Sequence, residues 1–156
     1  MAQLASMPQI TIDQTTLAEF GQAWIQNGER LRRSPPYSSS QLGKVFDDAV
    51  GYALSALLGG VEVITPNARS LTAAQADCVE VGPVRIIGGV RPQNFDVGYR
   101  PDGVRFAFDS KTLNDLESVG KNWQNMINDL ATEATTVHSR FPHAVVAFMV
   151  ICPLPC

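Results

Sequence analysis

FDVGYRPDGVRFAFDSK, Phe95 to Lys111, is the stretch on which the reading of this chain turns. Apolar residues alternate on both sides of Pro101-Asp102-Gly103, the pattern of two strands joined by a turn. Asp96, Asp109 and Lys111 break into that pattern. Side chains alternate faces along a strand, so Phe95, Val97 and Tyr99 share one side of the first arm. Phe106 and Phe108 share one side of the second arm, with Ala107, Asp109 and Lys111 opposite. If both aromatic sides face the core, Val97 opposes Phe108 and Asp96 opposes Asp109. That register needs a two-residue turn at Asp102-Gly103, a favoured hairpin dipeptide. A three-residue Pro-Asp-Gly loop with a bulge is the competing reading, and it slips the register by one.

In the first register two carboxylates and an ammonium converge on one patch. Like charges so placed repel, and a hard divalent cation relieves the repulsion. Oxygen ligands favour magnesium or manganese over zinc. A metal between two Asp residues grips a phosphate oxygen and lowers the pKa of a bound water. Lys111 beside it would position that water and balance charge, which suits phosphodiester hydrolysis. The plainer reading is a surface Asp-x-Lys pair of little energetic weight.

Outward from the hairpin, Thr15 to Arg33 has helical spacing through Leu17, Phe20, Trp24 and Leu31. Ser34 to Ser40 is a loop by composition. Gln41 to Leu58 predicts a second helix with a broad apolar face, ended by Gly59-Gly60. Val61 to Thr65 and Val79 to Ile87 predict strands, the latter interrupted by Gly82-Pro83. Between them LTAAQAD suggests a helical turn. Asp115 to His138 predicts a helix, and Ala144 to Ile151 a buried strand. The fold class is therefore α/β (α+β), a mixed sheet flanked by helices. One domain is expected over 1–156, with a core at about 38–151 and a helical extension over 1–37.

Of the 156 residues, 45% are hydrophobic and 17% charged, a globular balance. No apolar run is long enough to span a bilayer, so no membrane role is expected. The start, MAQLASMPQITIDQ, lacks the basic-then-apolar order of a secretory signal. Cys78, Cys152 and Cys156 form no CxxC pair, which suits reduced thiols and a cytoplasmic location. The net charge of −3 argues mildly against nucleic-acid binding, although local patches outweigh the sum.

These residues resemble the PD-(D/E)XK nuclease superfamily, the restriction-endonuclease-like fold. Its pattern is Asp, a variable gap, then Asp or Glu, any residue, and Lys. Here that is Asp96, twelve intervening residues, and Asp109-Ser110-Lys111. Gly43-Lys44-Val45-Phe46-Asp47 resembles the family's Gly-x-x-Phe-Glu helix motif with Asp for Glu, and Asp48 competes with Asp47 for that role. The literal Pro-Asp of the family name is absent at Asp96, and Pro101-Asp102 is read as turn chemistry. The resemblance implies an αβββαβ core and Mg2+ held by Asp96, Asp109 and the Ser110 carbonyl, with Mn2+ as a substitute. It also implies Lys111 beside the attacking water and Asp47 orienting water or a second ion. The implied activity is hydrolysis of double-stranded DNA by a homodimer leaving 5′-phosphate ends, as in a type II restriction endonuclease. A repair or junction-resolving nuclease of the same fold is the alternative, as is a non-catalytic DNA-binding module.

Among other residues, Arg30, Arg32 and Arg33 read as a helix-end cluster. Arg85, Arg91, Arg100 and Arg105 are candidates for DNA-backbone contacts. Gln124, Asn125 and Asn128 could face DNA, Trp123 is expected in the core, and His138 and His143 at the surface.

Overall fold

Ser38 starts the helix that carries part of the site. In the computed structural model, which describes residues 7–113 and 116–152, its Oγ accepts from the Gln41 N–H while the Gln41 side chain accepts from the Ser38 N–H. This capping box starts the helix two residues before the apolar pattern does. The helices are α1 (Gln14–Gln26), α2 (Ser39–Leu57) and α3 (Leu116–His138). The strands are β1 (Glu62–Ile64), β2 (Cys78–Ile87), β3 (Pro92–Tyr99), β4 (Phe106–Thr112) and β5 (Val145–Ile151). Helix α1 ends at Asn27 and Gly28, the latter at φ +73°, well short of Arg33. No helical turn forms in LTAAQAD, and Asp115 and Cys156 lie outside the described residues.

The five strands form one sheet in the order β1-β2-β3-β4-β5. Strands β2, β3 and β4 run as an antiparallel meander, and β1 lies parallel to β2. After the crossover helix α3, β5 returns parallel to β4. Val97 pairs with Phe108, the register that strand parity favours. The turn differs: pairing stops at Tyr99 and Phe106, and Arg100 to Arg105 form a wider connection. Asp102 there binds the Arg105 guanidinium through two hydrogen bonds, an exposed pair that closes the loop without the two-residue turn.

Apolar layers cover both faces of the sheet. Val50 of α2 packs with Val79, Val81, Val97 and Phe108 on one face. Val137 of α3 packs with Val84, Ile86, Phe95 and Ala107 on the other. Phe95 and Val97 therefore lie in different layers, against the expectation that they share a side. A bulge explains it. Val81 pairs with Val97 and Val84 with Phe95, so two residues of β2, Gly82 and Pro83, oppose Asp96 alone. Strand β2 keeps plain alternation through the bulge, with Val79 and Val81 toward one layer and Val84 and Ile86 toward the other, whereas β3 switches parity between Phe95 and Val97, and Asp96 sits at the switch. No described helix is long and apolar enough to cross a membrane.

Candidate functional site

Beyond Val97 and Phe108, β3 and β4 stop pairing, and the ionisable residues begin. Asp96 fills the gap. Its Oδ2 accepts from the Ser110 N–H at 2.8 Å and from the Ser110 hydroxyl at 3.3 Å. The carboxylate thus takes the place of the strand carbonyl that β3 does not offer there, which fixes it against β4.

Alternation along β4 then sorts the groups. Ser110 and Thr112 face α2, where a Cβ on Gly43 would lie 3.4 Å from Ser110 Oγ and 3.6 Å from Thr112 Oγ1. Asp47 stands one turn further along α2, 9% exposed, with Oδ1 lacking any hydrogen-bond partner. A cleft of about 300 Å³ opens here, lined by Ser40, Gly43, Asp47, Asp96, Ser110 and Thr112. Of the two helix acids, only Asp47 belongs to it. Asp48 lies outside, in an exposed pair with Lys44 at 3.5 Å.

Asp109 and Lys111 lie on the α3 side of β4. The Lys111 ammonium contacts Asp109 and lies 3.6 Å from Glu133 Oε1 of α3. A neighbouring cleft of about 340 Å³ is lined by Lys111, Asn122, Asn125 and Asp129 and shares Ser110 and Thr112 with the first. The expected single patch is thus divided between two faces at the end of β4, with Asp96 in the gap between them. Among the described residues, no group of three or more His, Cys, Asp or Glu side chains is arranged to hold a metal ion.

The charges are out of balance. Burial, with the charges of Asp96 and Asp48 behind it, raises the Asp47 carboxyl to about 6, against the lowering effect of its Ser110 hydrogen bond. Burial raises Asp109 to about 7, and Asp96 and Glu133 add to this while Lys111 opposes it. Burial raises Glu133 too. Burial works to lower Lys111, but Asp109, Glu133 and Asp96 outweigh it, and the ammonium is held above its usual range. Asp96, Asp109 and Glu133 act on the Lys111 ammonium, the charge of exposed Lys44 partly offsets Asp47, and the Ser110 hydroxyl has a single proton for both Asp47 and Asp96. Relief can come from protons or from a cation.

Other sequence candidates fall elsewhere. Arg100 is withdrawn from any backbone-contact role: 8% exposed, it is bound by Glu80. Trp123 is 50% exposed and not in the core. Gln124, Asn125 and Asn128 are exposed on α3, as are His138 at its last position and His143 beyond it. His138 Nε2 lies 3.0 Å from the Ala144 carbonyl. Sequence reasoning misses Glu133. The signal is present, because Met126, Leu130, Glu133 and Val137 follow helical spacing and one member of that stripe is charged. Compared with protein-family models, curated proteins and solved structures, the chain matches none of them.

Proposed function

We propose that the chain is a divalent-cation-dependent DNA endonuclease of the PD-(D/E)XK type, acting on double-stranded DNA as a homodimer. The observation that carries this reading is Asp47: a buried carboxylate with a partnerless oxygen, facing Asp96 across a cleft at the end of the strand that bears Asp109-Ser110-Lys111. A fold that gathers acids and leaves them unsatisfied has a use for positive charge at that point. The topology supports the same reading. Helix α2, the meander β2-β3-β4, crossover α3 and parallel β5 follow the αβββαβ order that the resemblance implies.

The donor set fits a hard cation, being carboxylate and carbonyl oxygens. Asp96 and Asp109 would hold Mg2+ or Mn2+, with the Ser110 carbonyl as a further ligand and Asp47 orienting water or a second ion. When bound, the ion withdraws charge from a phosphate oxygen and makes water a stronger nucleophile. The chain's own groups do the rest. The Ser110 N–H and hydroxyl aim the Asp96 carboxylate, and the Lys111 ammonium offsets the charge that grows on the phosphate. Exposed Asn122 and Asn125, beside Lys111, are placed to donate to a phosphodiester strand lying in the second cleft.

One observation favours a non-catalytic DNA-binding module instead: Asp96 and Asp109 already have protein partners, Ser110 and Lys111. Supercoiled-plasmid cleavage separates the two readings. With Mg2+, the wild type should nick and linearise plasmid, and Lys111→Ala and Asp96→Ala should each lose about 100-fold or more in rate while retaining the wild-type circular dichroism. A wild-type protein that leaves plasmid intact with every divalent ion tried would favour the module.

A further inference from the structure

Glu133 belongs to no part of the nuclease motif, yet it is built into the site. It projects from α3 with its side chain 12% exposed. Oε1 lies 3.6 Å from Lys111 Nζ, and Oε2 has no hydrogen-bond partner. Its neighbours along the stripe, Met126, Leu130 and Val137, are apolar. A carboxylate in that setting is costly to bury unless an ammonium stays near it. Lys111 stands between two carboxylates, in contact with Asp109 and further from Glu133.

We propose that Glu133 is a positioning residue: it holds the Lys111 ammonium when Asp109 is given over to a divalent cation. This rests on the nuclease reading of the site. The need follows from the contacts. A cation and an ammonium compete for Asp109, since both draw on the same carboxylate. If Lys111 had no second anchor, releasing Asp109 would leave a flexible four-carbon stem free to swing into solvent. Glu133 removes that cost. Its Oε1 is within a small movement of Nζ, and its free oxygen can take a further hydrogen bond. The helix keeps the new partner fixed while β4 keeps the backbone of Lys111 fixed. Glu133 thus lowers the energy of the cation-bound state and keeps the ammonium beside the reacting phosphate.

A cycle of Mn2+ titrations by calorimetry tests this on wild type, Glu133→Gln, Lys111→Met and the double variant, with plasmid cleavage measured in parallel. Glu133→Gln should weaken Mn2+ binding by at least about threefold when Lys111 is present and by nothing measurable when residue 111 is Met, as expected of coupled neighbours. It should also lower kcat with KM for DNA unchanged. An equal loss of Mn2+ affinity in both backgrounds would mean that Glu133 acts only through its own charge, and would overturn the inference while leaving the nuclease reading intact. A wild-type protein that takes up no Mn2+ would overturn both. Should Glu133→Gln fail to fold, Glu133→Met, of similar length and suited to the apolar stripe, takes its place in the cycle.

Discussion

Two ionic groups are buried in this sheet, and they are built on opposite plans. Glu80 of β2 meets Arg100, just past β3, through two hydrogen bonds, Nε to Oε2 at 2.5 Å and Nη2 to Oε1 at 2.9 Å. The Nη1 group donates to the Arg85 carbonyl at 2.8 Å. One acid meets one base, both acid oxygens are used, and nothing is left over. At the end of β4, Asp96, Asp109 and Glu133 share Lys111, Asp47 stands across the strand from it, and an oxygen of Asp47 and one of Glu133 have no hydrogen-bond partner. Satisfied valence marks a structural ion pair, and surplus charge marks a site. The first group has no carboxylate oxygen left to offer a ligand. The second leaves an oxygen of Asp47 and one of Glu133 open to a proton or a cation.

The closed pair should give the heaviest loss when broken. Arg100→Met leaves Glu80, 1% exposed, without its counter-charge. Chemical denaturation should show a loss of about 3–5 kcal/mol at pH 7. Replacing both members, Glu80→Met with Arg100→Leu, should recover most of that loss, since removing a whole buried pair is often near neutral. A small loss in Arg100→Met would erase the distinction between the two groups.

The site should behave in the opposite way. Asp47 titrates at about 6 and Asp109 at about 7 in the folded chain, both above the ordinary aspartate value of 3.8. With raised pKa values the folded state binds protons more readily than the unfolded state, so this contribution to stability falls as pH rises. No penalty applies below the unfolded pKa; it grows between about pH 4 and pH 7 and is complete above the folded pKa values. Asp47→Asn should therefore be close to wild type at pH 4 and more stable at pH 8, by an amount on the order of 2 kcal/mol. Saturating Mg2+ should raise wild-type stability more at pH 8 than at pH 5, because the cation meets ionised carboxylates only at the higher pH. If wild type and Asp47→Asn keep the same difference at both pH values, Asp47 carries no excess charge.

Much of this contrast is legible in the amino-acid sequence, and what is not has definite causes. Alternation of Val97, Tyr99, Phe106 and Phe108 yields the correct β3–β4 register, because one face of each strand is apolar there and a slip of one residue would expose it. Strand parity misplaces Asp96, because the bulge that moves it is made by Gly82 and Pro83 on the neighbouring strand. Local periodicity cannot see a partner strand. Arg100 reads as a surface cation for the same reason, as Glu80 lies twenty residues away in sequence. A motif does not separate Asp47 from Asp48, but a helix face does: one points at β4 and the other at Lys44. Glu133 is readable as a charge in an apolar stripe, though only the fold brings it to Lys111.

A subtler change concerns two glycines of α2, and it bears on whether the open site is open by design. A Cβ at Gly51 would come within 2.2 Å of Val81 Cγ2, so glycine there lets the helix lie on β2. A Cβ at Gly43 meets Ser110 Oγ at 3.4 Å and Thr112 Oγ1 at 3.6 Å, ordinary contact distances, so packing does not require glycine there. Alanine in a helix interior is favoured over glycine by roughly 0.5–1 kcal/mol. Gly43→Ala should therefore raise stability by about that amount, whereas Gly51→Ala should lower it by about 1–3 kcal/mol through overpacking. The added methyl at residue 43 also narrows the cleft between Asp47 and Asp96, so Gly43→Ala should bind Mn2+ less tightly while folding better. A gain in both would mean that the space beside Ser110 is merely unfilled, and the surplus of carboxylates would lose its claim to be a site.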